Sequence, residues 1–296
     1  MSALLEVRGL TVDFTGEPAI RAVDGVALSV APRERLAIVG ESGSGKSQLL
    51  LACTGLLAAN GSSGGSVRFD GRELLGDAHA AASVRGRGIG FVFQDASGSL
   101  TPHRSIGDQL AEVTMAASGV GRRTALDEAA AMLGHVRLPG AGRLLAQFPH
   151  ELSGGMRQRV AIALALMAKP RILFADEPTT ALDVTVQAEV MALLASLCSE
   201  FGMALLIVTH DLGVVAALAD RIAVMYAGRF VEVGEAQALL CSPRHPYTAG
   251  LLASVPRLGD HGELATIPGS PPRPGEVVQG CRFGPRCLRS TDRCRT

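Results

Sequence analysis

Apolar and polar residues alternate over residues 4–14 in the manner of an edge strand, and residues 26–30 are expected to pair with it beyond a turn at 16–18. Residues 35–39 are expected to form a buried strand, apolar from Leu36 to Val39, which leads directly into GESGSGKS and a helix expected to reach Leu57. Short strands are predicted at 67–69, closed by the Asp70-Gly71 turn, and at 89–94. Beyond Gln94 the period changes. From 105 to 136 the apolar spacing is helical, broken at 119–121 and at Pro139, and no strand signal returns before Ile172. A strand at 172–175, a helix at 184–201, a strand at 204–208, a helix at 212–218 and strands at 221–225 and 229–233 complete the pattern. Strands alternating with helices predict an α/β fold with a parallel sheet covered on both faces. After Cys241 the chain turns rich in Pro and Gly around IPGSPPRPG and reads as an irregular appendage.

The segment GESGSGKS, residues 40–47, fits the pattern G-x-x-x-x-G-K-[ST] and stands between a predicted strand and a predicted helix, the context a phosphate loop requires. Gly40, Gly43 and Gly45 let the backbone turn its N–H groups inward around phosphate oxygens, and the following helix offers its positive end. Lys46 is placed to reach the β- and γ-phosphates, and the Ser47 hydroxyl to ligate Mg²⁺. In ILFADEP, four apolar residues form a buried strand that delivers Asp176 and Glu177 to its C-terminal end, the edge where open α/β sheets bind ligands. Asp176 is expected to hold Mg²⁺ through water and Glu177 to polarise an attacking water. Gln94, ending IGFVFQ, and His210, ending ALLIVTH, add two polar side chains at strand ends. Phosphoryl transfer needs chiefly positioning and charge neutralisation, which these groups supply.

Composition narrows the partners. With 296 residues and 47% of them hydrophobic, the chain can bury a large core as one domain or two modest ones. Its net charge is zero, so overall charge does not point to nucleic acid or to an anionic membrane. Lysine is scarce, with Lys46 and Lys169 alone among many arginines. The longest apolar run, 160–168, is far short of the ~20 residues that span a bilayer. The start, MSALLEVRGL, lacks the pattern of a signal peptide, and the chain is expected to fold in the cytoplasm. Cys53, Cys198 and Cys241 are scattered, whereas Cys281, Cys287 and Cys294 crowd the tail, as a metal site or as unliganded thiols.

The stretch ELSGGMRQRVAIALAL, residues 151–166, sets Ser153, Gly154 and Gly155 at the mouth of a predicted helix. An N-cap followed by flexible glycines would account for it in isolation. With its companions it resembles the LSGGQ signature of the ATP-binding cassette family, written here with Met156 in place of the Gln. Phe14 stands where that family has an aromatic that stacks on adenine, GESGSGKS resembles its Walker A loop, and Gln94 its Q-loop. FADE resembles the Walker B segment with its catalytic Glu, ALD at 181–183 the D-loop, and His210 the switch histidine. The resemblance implies two ATPase units facing head to tail, each signature helix capping the γ-phosphate of the ATP held by the other. The helix dipole would contribute about 0.3–2 kcal/mol to that anion site. Nucleotide contacts are then implied for Phe14, Gly40, Ser42, Gly43, Ser44, Gly45, Lys46, Ser47, Gln48, Ser153, Gly154, Gly155 and Asp183. Catalytic roles fall to Lys46, Gln94, Glu177 and His210, and Mg²⁺ to Ser47, Gln94 and Asp176.

A narrower resemblance, to the ATP-binding subunits of bacterial oligopeptide, dipeptide and nickel importers, rests on FQDASGSLTP, DEPTTALDVTVQ, THDLGVVA, VMYAGR, HPYTAGLLASVP and IPGSPP. It implies a P-loop ATPase core at 1–96 and 157–240, with a parallel sheet and an antiparallel β subdomain, a helical subdomain at 97–156, and a cysteine-containing extension at 241–296. It also implies a peripheral place on the cytoplasmic face of the membrane, two permease subunits docked through a groove beside the helical insertion, a second homologous ATPase, and an extracytoplasmic solute-binding protein. Import of nickel or another solute is the alternative, followed by a soluble ATPase of the same family. For the tail, related importer subunits imply a [4Fe–4S] cluster on four cysteines. This chain offers Cys281, Cys287 and Cys294 before Thr296, and zinc suits thiolates as well.

Overall fold

A computed structural model describes residues 3–180, 182–255, 266–273, 275–276 and 278–295. Ala181 of the ALD segment and Pro256 of HPYTAGLLASVP lie outside the described residues. In chain order the elements are β1 (Leu5–Phe14), β2 (Ile20–Val30), β3 (Arg35–Val39), α1 (Lys46–Thr54), β4 (Gly61–Phe69), β5 (Arg72–Glu73), α2 (Ala78–Val84) and β6 (Ile89–Val92). There follow α3 (Ala96–Ser99), α4 (Ile106–Ser118), α5 (Arg122–His135), α6 (Ala141–Ala146), α7 (Gly154–Leu166), β7 (Ile172–Asp176) and α8 (Val184–Phe201). The last are β8 (Ala204–Thr209), α9 (Leu212–Ala216), β9 (Arg221–Tyr226), β10 (Arg229–Glu235), α10 (Ala236–Cys241) and α11 (Pro246–Ala253). The fold is α/β, and the chain divides into two compact units, one of residues 1–31, 35–81 and 208–296 and one of residues 32–34 and 82–207.

In the first unit an antiparallel sheet runs β2-β1-β4-β5, so β1 is an interior strand rather than the edge strand its pattern predicts. The reason is β4, whose GSSGGS start carries no apolar signal yet pairs along β1 from Phe14 opposite Gly61 to Arg8 opposite Ser66. The alternation of β1 is rephased between Val7 and Leu10, where the register shifts. Gly65 faces this bulge with φ 98°, and a Cβ there would lie 2.5 Å from the Gly9 carbonyl oxygen, so the close approach admits only glycine. A second group runs β10-β9-β3, with β3 parallel to β9 and Val39 opposite Val224. Leu36 to Val39 are all buried, as a strand covered on both faces requires. Helix α1 stops at Thr54, short of Leu57, because Gly55 turns left-handed and returns its N–H to the last carbonyls.

In the second unit β6 and β7 are parallel, Ile89 opposite Ile172, in the order β8-β7-β6. Their runs of Ile, Leu, Phe and Val are buried. The predicted helical insertion is present: α4 is opened by Ser105, whose hydroxyl accepts the Asp108 N–H, and closed by left-handed Gly119 before α5 begins. Strand β6 ends at Val92, so Gln94 lies beyond the strand and not at its end as predicted. The chain leaves the ladder where Asp95 caps the short turn α3 through the Ser97 N–H.

Candidate active site

Of the predicted site residues, Phe14, the loop 40–48 and His210 belong to the first unit. Gln94, Ser153, Gly154, Gly155, Asp176, Glu177 and Asp183 belong to the second.

The loop from Gly40 to Gly45 leaves β3 and enters α1 at Lys46. Lys46 is only 4% exposed, and its ammonium donates to the carbonyls of Gly40 (2.8 Å) and Glu41 (2.9 Å). Two glycines are required by contact. A Cβ on Gly40 would meet the Met225 carbonyl oxygen at 2.2 Å, and one on Gly45, whose φ is 102°, would meet that of Ala22 at 2.3 Å. The Gly228 N–H donates to the Ser44 carbonyl at 2.8 Å and ties the loop to the turn between β9 and β10. Gly43 borders a cavity of about 400 Å³, lined also by Ala22, Asp24, Arg273 and Arg282. Phe14, half-buried, ends β1 opposite Ile20 and Gly61. His210 is exposed just past β8, and the Asp211 carboxylate accepts the Gly213 N–H at 2.8 Å to open α9.

In the second unit β7 delivers Asp176, buried, and then Glu177, whose φ of 44° is left-handed for a residue with a side chain. The Glu177 carboxylate accepts the Thr180 hydroxyl at 2.7 Å. Thr180 was not singled out from the sequence, although the TT of DEPTT is the visible trace of it. The Gln187 amide donates to the carbonyls of Thr179 and Leu182 at 3.0 and 3.1 Å and braces the segment between Glu177 and α8. Asp183 caps α8, its carboxylate accepting the Val186 N–H at 3.0 Å.

Ser153 caps α7 in the same way, accepting the Met156 N–H at 3.3 Å, and both Ser153 and Gly154 are exposed. A Cβ on Gly155 would lie 3.0 Å from Val186 of α8, so this helix mouth abuts the segment that Asp183 opens.

The tail departs most from expectation. Helix α11 carries the HPYT motif, where the sequence predicts irregular chain. Tyr247 and Phe283 pack on Tyr226 with ring centroids 4.6 and 5.3 Å away. Arg282 donates to the Asp24 carboxylate and the Ala227 carbonyl, and Arg229 joins the same carboxylate at 2.7 Å. Burial would raise the Asp24 pKa, but the hydrogen bond from Arg229 and the charges of Arg282, Arg229 and Arg21 outweigh it and hold it low. Among the described residues no three His, Cys, Asp or Glu side chains are grouped to hold a metal ion. Cys281, Cys287 and Cys294 thus form no such group, and nothing among the described residues supports the cluster that the resemblance implies. Their segment is closed instead by the backbone, the Cys281 N–H donating to the Cys294 carbonyl at 2.8 Å.

The ABC transporter family profile matches residues 23–180, and the profile of the oligopeptide/dipeptide transporter C-terminal region matches residues 231–294. The chain is 48% identical to the oligopeptide transport ATP-binding protein OppD of Haemophilus influenzae, covering 99% of this chain and 92% of that one. It is also 48% identical to OppD of Escherichia coli (strain K12), over 99% of this chain and 88% of that one. Among solved structures, the dimeric post-hydrolysis state of the ATP-binding cassette MJ0796 bound to ADP and Pi is similar at TM-score 0.70 and 30% identity, over 78% of this chain and 98% of that one. The cbiO1 subunit from Clostridium perfringens is similar at TM-score 0.70 and 27% identity, over 81% of this chain and 92% of that one.

Proposed function

The chain belongs to the ABC transporter family, and from that premise we propose that it is the ATPase subunit of an importer that takes up oligo- or dipeptides. One observation carries the reading: the ABC transporter profile at 23–180 and the peptide-transporter C-terminal profile at 231–294 occur in one chain. The protein is an ATPase, and its phosphate loop is built for the triphosphate.

Lys46 starts from two loop carbonyls and exchanges them for the β- and γ-phosphate oxygens, charged partners that bind an ammonium about twice as strongly as neutral ones. The N–H groups of Gly43, Ser44 and Gly45 line the anion, Phe14 stacks on the base, and Ser42 and Gln48 flank the nucleotide. Ser47, Gln94 and Asp176 offer hydroxyl, amide and carboxylate oxygens, the hard donor set that suits Mg²⁺ and would hold it. When bound, the ion neutralises charge on the phosphate oxygens. Glu177, aimed by Thr180, polarises the attacking water, with His210 beside the γ-phosphate. Ser153, Gly154, Gly155 and Asp183 complete the site of a second ATPase subunit, which faces this one head to tail.

ATP binding then closes the pair and hydrolysis reopens it, rocking two permease subunits that a solute-binding protein supplies from outside. The helical segment 97–156, set within core segments 1–96 and 157–240, faces the permeases. A cavity of about 240 Å³ lined by Phe91, Phe93, Val113, Ala161 and Leu164 offers room for an apolar side chain of a permease's cytoplasmic loop, with Phe93 40% exposed. The subunit sits peripherally on the cytoplasmic face of the membrane in this reading, and no helix among the described residues is long and apolar enough to cross a membrane.

The test is Glu177→Gln in the assembled importer. The variant is expected to bind MgATP as the native chain does, to lose turnover by roughly 10²-fold or more, and to abolish uptake of labelled di- and oligopeptides by cells. Near-native hydrolysis would remove Glu177 from its role, and undiminished peptide uptake would remove peptides as the cargo.

A further inference from the structure

Two segments of the C-terminal region reach one residue of the phosphate loop, Glu41, and a third holds the second of them in place. The Glu41 N–H donates to the Tyr247 hydroxyl at 2.9 Å. Its carboxylate receives both arms of the Arg286 guanidinium, at 2.8 and 3.1 Å. Arg286 is itself fixed, Nε donating to the Pro268 carbonyl at 2.9 Å and Nη1 to the Tyr226 hydroxyl at 3.3 Å. Tyr247 comes from HPYT, Pro268 from IPGSPP and Arg286 from the cysteine-bearing GPRC, the stretches that the chemistry of ATP leaves unexplained. Both side chains are buried, Tyr247 fully and Arg286 at 8% exposed.

The linkage to the reacting end is a single peptide plane. The N–H that Tyr247 holds and the Gly40 carbonyl that accepts Lys46 at 2.8 Å belong to the same peptide group, between Gly40 and Glu41. A planar peptide cannot turn one end without the other. The plane is confined from behind as well, since Gly40 has no room for a Cβ against the Met225 carbonyl. The next carbonyl, of Glu41, accepts Lys46 at 2.9 Å, and the side chain of that same residue is clamped by Arg286.

We propose that the C-terminal region is a brace on the phosphate loop, in which Tyr247 and Arg286 are positioning residues that set the Gly40-Glu41 peptide and, through it, the approach of Lys46 to the triphosphate. The proposal rests on the ATPase reading above and extends it. ATP affinity in this chain depends on a segment outside the ATP-binding cassette, and the loop is pre-formed before the nucleotide arrives, which lowers the ordering cost of binding.

The experiment uses the purified full chain for equilibrium binding of MgATP and the assembled importer for steady-state hydrolysis. Tyr247→Phe keeps the ring against Tyr226 and Phe283 and removes only the hydroxyl. It is expected to weaken MgATP binding and raise KM about threefold to tenfold, the range one hydrogen bond commands, with kcat at saturating ATP nearly unchanged. Arg286→Ala should act in the same direction and more strongly, and Arg286→Lys, which keeps the charge but not the fork, should recover part of the loss. A segment that served folding alone would lower the active fraction, hence apparent kcat, and leave KM at the native value; that result in Tyr247→Phe and Arg286→Lys overturns the brace. A native chain that bound no MgATP would overturn the ATPase reading instead, and the brace with it.

Discussion

The phosphate loop and the signature mouth are both glycine-bearing entries to a helix, yet they are finished in opposite ways. At the loop, Lys46 is buried against two carbonyls, the Ser44 carbonyl is tied to Gly228, and Glu41 is held by Tyr247 and Arg286. At the mouth of α7, Ser153 and Gly154 are exposed, and among the described residues the hydroxyl of Ser153 caps its own helix. One is complete within its unit and the other presents its groups outward. The head-to-tail pair proposed above would need this asymmetry: a cradle that binds ATP in a single chain, and an open cap that would meet the γ-phosphate only when two chains close.

The largest contrast should come from adding one methyl at each glycine. Gly40→Ala drives a Cβ to 2.2 Å from a backbone oxygen that cannot move without disturbing β9, whereas Gly154→Ala meets nothing nearer than Leu182 Cδ2 at 3.9 Å. Forced strain of about 1–3 kcal/mol should weaken MgATP binding by the isolated chain about 5- to 150-fold in the first variant. The second should bind as the native chain does. Equal affinities, measured by calorimetry, would break the distinction between a crowded loop and an open mouth.

Ser153→Ala sharpens it from the other side. The loss of the cap costs α7 about 1 kcal/mol of local stability, and binding of MgATP by the single chain should not change. Hydrolysis by the assembled pair should fall about tenfold, the low end for one hydrogen bond to a charged group. A fall in single-chain affinity would mean that the mouth belongs to its own chain's nucleotide.

Legibility in the sequence followed the same divide between local and distant causes. The loop, Asp176, Glu177 and the span of α8 from Val184 to Phe201 were readable because each is fixed by a contiguous pattern: a glycine motif after an apolar run, or a cap followed by helical spacing. The extension of β4 through GSSGGS was not, since its pairing rests on backbone hydrogen bonds and on the bulge in β1, which leave no apolar trace. Gln94 was placed on a strand because apolar IGFVF runs up to it, but a local cap at Asp95 ends the ladder first. The grip of Tyr247 and Arg286 on Glu41 joins residues 206 and 245 positions apart, a spacing on which periodicity is silent.

The smallest effect concerns pH and tests whether the crowded side of the comparison reaches α11. His245 caps that helix, its Nδ1 accepting the N–H of Tyr247 at 3.1 Å, which requires the ring nitrogen to be unprotonated. Burial lowers its pKa below the usual 6.5, against a weaker opposing pull from Glu232. A base whose folded pKa is depressed contributes stability that is full above its unfolded value and is lost as the pH falls toward the folded one. The α11 cap should therefore weaken as the pH drops below about 6.5, by no more than about 1 kcal/mol, the worth of one cap. His245→Asn keeps an accepting oxygen without titrating. Amide exchange at Tyr247, followed from pH 7.5 to 5.5, should quicken in the native chain beyond its intrinsic pH dependence and not in the variant. Parallel profiles in the two chains would disconnect His245 from the helix that holds the phosphate loop.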